Sequence, residues 1–245
     1  MIRKSYMKFG SALLILVVSA LALSGCGSSE RGDGFNDRAP NNRIAAVAWQ
    51  EWTKFGRSTV VYGGQNSANG YTNRTGLSER SEPLASRVGD YWGSCGHPEW
   101  NGTSSRPWSG AFVSWVMTHA GVSSRDFPAA GRHGSYLSSL YERQRSGGFL
   151  VQAPNEYSPK AGDLVCSGTA GASWRGADFH TAKKRIDSTA SHCDVVVDVK
   201  GGFVHAVGGN VKNSVTMSLF PTDGRGRLAA VPGRPWMLVA ENRAY

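Results

Sequence analysis

Apolar residues at Ile44, Val47, Ala48, Trp52 and Phe55 recur at helical spacing, which predicts an amphipathic helix over residues 43–55. The polar, Gly- and Asn-rich stretch 63–78 reads as an irregular surface loop. Pro83, at a first-turn position ahead of Leu84, Val88, Tyr91 and Trp92, opens a second short helix. Residues 93–107 read as a loop that holds Cys95, His97 and Trp100. Beyond it, apolar positions run nearly all the way round a helix bounded by Ser109, read as its N-cap, and Gly121, read as the glycine that stops it. A helix apolar on most faces is buried on most faces, so this one is central to the fold. A third helix after these, about 134–145, gathers Tyr136, Leu137, Leu140 and Tyr141 on one side.

From Pro159 the period changes to alternation. Strands are predicted at 164–166, 193–199, 203–207, 211–219 and 236–240, with a polar, partly basic insertion over 167–191. Helices first and strands second make an α+β domain, with N-terminal helices, a buried central helix and a C-terminal antiparallel sheet.

The first residues follow another logic. Arg3, Lys4 and Lys8 precede an apolar core, 12–23, too short for a permanent membrane span. Leu23-Ser24-Gly25-Cys26 then looks like a bacterial lipobox. That resemblance implies cleavage before Cys26, diacylglycerol on its thiol and acylation of its new amino group. Gly27 is not the aspartate that retains lipoproteins in an inner membrane, so the implied location is the outer membrane, with the domain in the periplasm. An ordinary signal peptide with an incidental cysteine is the alternative. The expected organisation is a signal over 1–25, a Gly/Ser/Asn-rich tether over 26–42 and a domain over 43–245.

Composition narrows the class. The chain of 245 residues is 40% hydrophobic and 18% charged, which excludes a disordered chain, and no later apolar run spans a membrane. The formal charge of +9 drops to +6 once the three basic residues of the signal are removed, and it is spread along the chain. With no basic stripe carrying interleaved aromatics, nucleic acid is not an expected partner. Three cysteines remain after Cys26. Cys166 and Cys193 fall in neighbouring predicted strands and are the preferred disulfide, leaving Cys95 free. Cys95-Gly96-His97 is the nearest approach to metal-ligand spacing, and neither a metal nor a cofactor is expected.

Chemistry concentrates where a hydroxyl opens the buried helix and a histidine opens a strand. Unpaired N–H groups and the positive dipole end at a helix start favour an anion, so a nucleophile there is helped as it ionises. Ser109 is the candidate nucleophile and His192 the candidate general base. Asp194, on the same strand face as His192, is one candidate to fix the imidazole. Trp108 beside the serine and His133 before the third helix are candidate substrate contacts.

The order of nucleophile on helix, Gly162-Asp163-Leu164-Val165-Cys166, then a strand opening with histidine resembles the papain-like cell-wall peptidases of the NlpC and CHAP type. The segments Pro107-Trp108-Ser109-Gly110-Ala111-Phe112-Val113-Ser114-Trp115-Val116-Met117, Ser191-His192-Cys193-Asp194-Val195-Val196 and Gly208-Gly209-Asn210-Val211 resemble more closely domain of unknown function family 2272 (DUF2272). The resemblance covers most of 43–245. It implies a papain-like fold and a peptidoglycan amidase or endopeptidase, with serine where those enzymes carry cysteine and with Asn210, after Gly208-Gly209, as the favoured residue to orient His192 and Asp194 as the alternative. A catalytically inactive lipoprotein that binds cell wall or an envelope partner through the same cleft is the alternative, and an esterase is a third possibility. As a plain cap, Ser109 would stabilise its helix by roughly 0.5–2 kcal/mol and do nothing else.

Overall fold

The computed structural model describes Met1 and residues 39–63, 71–169 and 186–245, with backbone alone over 71–74. The signal, Cys26, most of the tether, Trp174 and His180 lie outside the described residues.

Helix α1 (Arg43–Lys54) starts where Asn42 accepts from the Ala45 N–H at 3.1 Å. The Asn42 amide also donates to the Tyr245 carbonyl at 3.0 Å, tying the start of the domain to its last residue. The final residue assigned to the tether is therefore a structural cap. Strand β1 (Ser58–Val61) follows, then β2 (Tyr71–Arg74), inside the stretch expected to be irregular. Helix α2 (Leu84–Gly93) begins after Pro83, which is its N-cap residue. Helices α3 (Ser109–His119) and α4 (His133–Arg143) precede β3 (Phe149–Gln152), β4 (Leu164–Gly168), β5 (Ser191–Lys200), β6 (Phe203–Val211), β7 (Ser214–Pro221) and β8 (Trp236–Asn242).

The protein is α+β. Its eight strands form one sheet in the order β2-β1-β7-β6-β5-β4-β8-β3. The strands β3 to β8 pair antiparallel, as expected of the C-terminal sheet, and β1, a strand not expected, pairs antiparallel with β2 and parallel with β7. That register aligns Thr59 with Met217 and Val61 with Leu219. All of these elements belong to one compact unit, Arg38–Tyr245.

Helices α1 and α3 pack on β5 and β6. Along α3, every residue from Ser109 to Met117 is buried, as its unbroken apolar pattern requires. Trp108, 1% exposed, lies against Phe55, Tyr91 and Phe112 and donates its indole N–H to Glu79 at 3.0 Å. Burying a ring of that size is worth about 4–6 kcal/mol. Glu51, also buried, clamps α1 to α2: it accepts from Arg87 at 2.7 Å through each oxygen and from the Tyr91 hydroxyl at 2.6 Å. A separate apolar cluster, including Tyr62, Val165, Phe220 and Trp236, contains no helical residue.

The Gly-Asp pair before β4 has a structural explanation. Gly162 takes φ +94°, where glycine meets no Cβ penalty, and Asp163 is fully buried. The Asp163 carboxylate accepts from the Lys160 and Asn242 N–H groups at 2.8 Å each, which fastens the turn to β8. In β4 and β5, Cys166 and Cys193 are cross-strand partners joined by a disulfide, and Cys95 is a half-buried free thiol.

Candidate active site

Ser109 is the first residue of α3 and not its cap. The cap position belongs to Trp108, which makes no side-chain capping bond. The serine hydroxyl points elsewhere, to His133 Nε2 at 2.7 Å. Both side chains are buried, Ser109 at 8% and His133 at 5% exposure. The sequence reading paired Ser109 with His192 and left His133 as a substrate contact; the structure places His133 on the serine.

Helix α3 itself brings this histidine there. Gly110 and Ser114, four residues apart, share one helix face. The Ser114 hydroxyl donates to the Ala130 carbonyl at 2.8 Å and accepts from the Ala130 N–H at 3.0 Å. At Gly110 a Cβ would sit 2.4 Å from the Gly131 carbonyl oxygen, so only glycine admits the 130–132 segment this closely. Helix α4 starts immediately after that segment, with Arg132 as its N-cap residue and His133 as its first residue. The fixed point at Ala130 therefore holds His133 over the start of α3.

On its other side, His133 Nδ1 is hydrogen-bonded to the Tyr136 hydroxyl, one helical turn on. Burial drives the His133 pKa down, the neighbouring His192 adds to this and Asp194 opposes it, leaving a value of about 3. The ring is therefore neutral over the ordinary pH range. Burial likewise raises Tyr136 well above its usual range, so it stays a phenol.

A second chain of groups stands beside the first. The His192 ring centroid is 5.4 Å from that of His133. His192 Nε2 lies 3.0 Å from Asp194 Oδ1, and Arg234 reaches Asp194 Oδ2 at 3.5 Å and the Tyr62 hydroxyl at 3.1 Å. Burial would push the Asp194 carboxyl up, but His192 and Arg234 outweigh it and hold it below the usual carboxylate range. A Cβ on Gly208 would come 1.8 Å from Asp194 Oδ1, so glycine at this point of β6 makes room for the carboxylate. Of the two residues proposed to orient His192, Asp194 is the one in contact with it. Asn210, in a left-handed conformation at φ +59°, shares the wall of a cavity with His192.

Ser109 and His133 open onto a cleft of about 640 Å³. Trp92 and Trp100 line it, whereas Trp108, expected there, is sealed in the core. Trp100 stacks on His97 with centroids 4.1 Å apart, and the Arg106 guanidinium lies 3.9 Å from its ring centre. Both rings and Arg106 therefore form one braced wall. Arg132 is also at the cleft, and among the described residues no carboxylate lines it. Cys95 is not an activated thiol: burial pushes its pKa up, against weaker hydrogen bonds from Ser94 and Ser114. Among the described residues, no three His, Cys, Asp or Glu side chains converge as a metal site.

The contact of His133 with Ser109 escaped the sequence because the two are 24 residues apart and are joined through helix packing. The small residues Gly110 and Ser114 on an otherwise bulky helix were the available signal for close approach.

The family model described as "Uncharacterized protein conserved in bacteria (DUF2272)" matches residues 77–241, more than half of the chain, and the chain belongs to that family. No curated protein and no solved structure matches the chain.

Proposed function

We propose that this DUF2272 member is a serine-dependent hydrolase of amide bonds in the bacterial cell wall. The observation that carries the reading is the 2.7 Å contact between Ser109 Oγ and His133 Nε2 at the start of α3, within the cleft. In this mechanism His133 takes the hydroxyl proton as Ser109 Oγ attacks the carbonyl carbon. First-turn N–H groups of α3, which have no intrahelical acceptor, are placed to hold the oxyanion. Collapse of the tetrahedral adduct breaks the C–N bond, and the imidazolium returns its proton to the leaving amine. Water then attacks the acyl-serine ester, with His133 again as base, and releases the acid. The buried charge of Asp194 favours the transient imidazolium. His192, no longer the general base, holds Asp194 beside the site.

Kinship with papain-like peptidases, export through the N-terminal segment, lipidation at Cys26 and an outer-membrane location with peptidoglycan as partner belong to the same proposal. Support comes from the lipobox-like sequence and from the nucleophile at the start of a buried helix. Purified sacculi incubated with the protein should yield new muropeptides, identified by mass spectrometry, that disappear with Ser109→Ala. Turnover of small esters without muropeptide change would indicate an esterase instead. No product from well-folded protein on either substrate would reject the enzyme.

One observation favours a binding protein. Among the described residues, the Tyr136 hydroxyl has His133 Nδ1 as its hydrogen-bond partner. A buried phenol donating there leaves the imidazole proton on Nε2, facing Ser109, which is the wrong tautomer for a base. In the enzyme, Nδ1 carries the proton and Tyr136 accepts it. The tautomer of His133, read from its ¹⁵N shifts, separates the two.

A further inference from the structure

A second cavity, of about 290 Å³, lies on the sheet and includes neither Ser109 nor His133 in its wall. Most of its lining side chains can donate a hydrogen bond, Ser167, His192, Asn210, Lys212 and Arg234 among them, and Val211 is its apolar side chain. Ser167 and His192 are cross-strand partners of β4 and β5, so their side chains stand on one face. Ser167 is 1% exposed, and among the described residues its hydroxyl has no hydrogen-bond partner. A buried, unsatisfied hydroxyl costs about 1–3 kcal/mol, so its presence in this wall calls for an acceptor. Asp194, which contacts two of the lining residues, is fully buried and engaged by His192 and Arg234.

Charge selects the acceptor. Lys212 and Arg234 bring two positive charges, and Asp194 cancels one of them. The remaining single charge matches a monoanion, while a doubly charged phosphate would stand against Asp194 without full compensation. The volume is at the lower limit of small-molecule sites, large enough for a terminal amino-acid unit and too small for a glycan strand.

We infer that this second cavity binds a carboxylate, of the kind that ends a peptide, between Ser167, His192, Lys212 and Arg234. The site stands on its own residues, so it exists whether or not Ser109 is a nucleophile. Bound there, the ligand would lie against the histidine that faces His133.

N-acetyl-D-alanine is the probe, titrated into the ¹⁵N-labelled full chain in detergent and followed by NMR. N-acetyl-D-alaninamide and inorganic phosphate run as parallel arms. Saturable shifts at His192 and Lys212 are expected with the acid and not with the amide. Ser167→Ala should weaken binding about tenfold, the scale of one hydrogen bond to a charged group, while leaving thermal stability unchanged or higher. Lys212→Gln should weaken it further. No saturable shift with the acid, equal binding of the amide, or unchanged affinity in both variants overturns the site. Tighter binding of phosphate than of the acid overturns the carboxylate assignment. Muropeptide cleavage is not a readout, so a failure here and a failure of the hydrolase are distinguishable.

Discussion

Two neighbouring histidines have opposite surroundings. His133 touches the candidate nucleophile and is backed by a neutral phenol; His192 is backed by a buried carboxylate and an arginine but does not hold the serine. In a Ser-His-Asp hydrolase those properties belong to one histidine. Here the contact with Ser109 and the neighbouring buried charge are divided between two rings 5.4 Å apart. The division teaches that contact with Ser109 and support of positive charge are separable, and that substitutions can ask which of them matters.

The largest effect should come from Ser109→Ala, which is expected to lower hydrolysis by at least about 10³-fold in a muropeptide assay with folding retained. Next, His133→Gln should cost about 10²–10⁴-fold in kcat and His192→Gln about tenfold, since only the first removes proton transfer. The reverse order would make His192 the base and break the comparison as drawn. Third, stability should respond to acid. Unfolded His133 takes a proton near its usual 6.5, whereas the folded ring refuses it until about 3. Between these values the unfolded chain binds more protons, so stability falls as pH falls through that window, by about 1.4 kcal/mol per pH unit at most. Asp194, held low, adds loss in the same direction at the acid end. Thermal melts from pH 7 to pH 3 would show the slope, which should flatten in His133→Gln.

A smaller loss, about 1–3 kcal/mol in urea denaturation, is expected for Gly208→Ala, because the new methyl overlaps the Asp194 carboxylate. The smallest change is Tyr136→Phe, at about 1 kcal/mol. Its value lies in the ¹⁵N spectrum: a His133 tautomer that switches on loss of the phenol shows that Tyr136 had been setting it, and an unchanged tautomer removes Tyr136 from that role.

Sequence patterning was most informative where one element decides its own burial. Helix α3 was legible from its all-round apolar positions, and β5 to β8 from alternation with turn residues between them. Strands β1 and β3 were not, since four residues carry too little period, and the parallel pairing of β1 with β7 joins segments far apart in the chain. At the site, Ser109 could be singled out from its place at a buried helix. The segment that delivers His133 depends on contacts between Ser114, Gly110 and residues 130–131, which no local period records.

The Cys166–Cys193 bridge links residues 27 apart in sequence and adjoins Ser167 on one strand and His192 on the other. The intervening chain is thereby a covalent ring. A proteolytic cut anywhere inside it would leave both fragments attached, migrating as one species until reduced. Insertions or deletions within the ring would also enter and leave through the same fastened pair of strands, so its length can drift over generations while Ser167 and His192 stay in register.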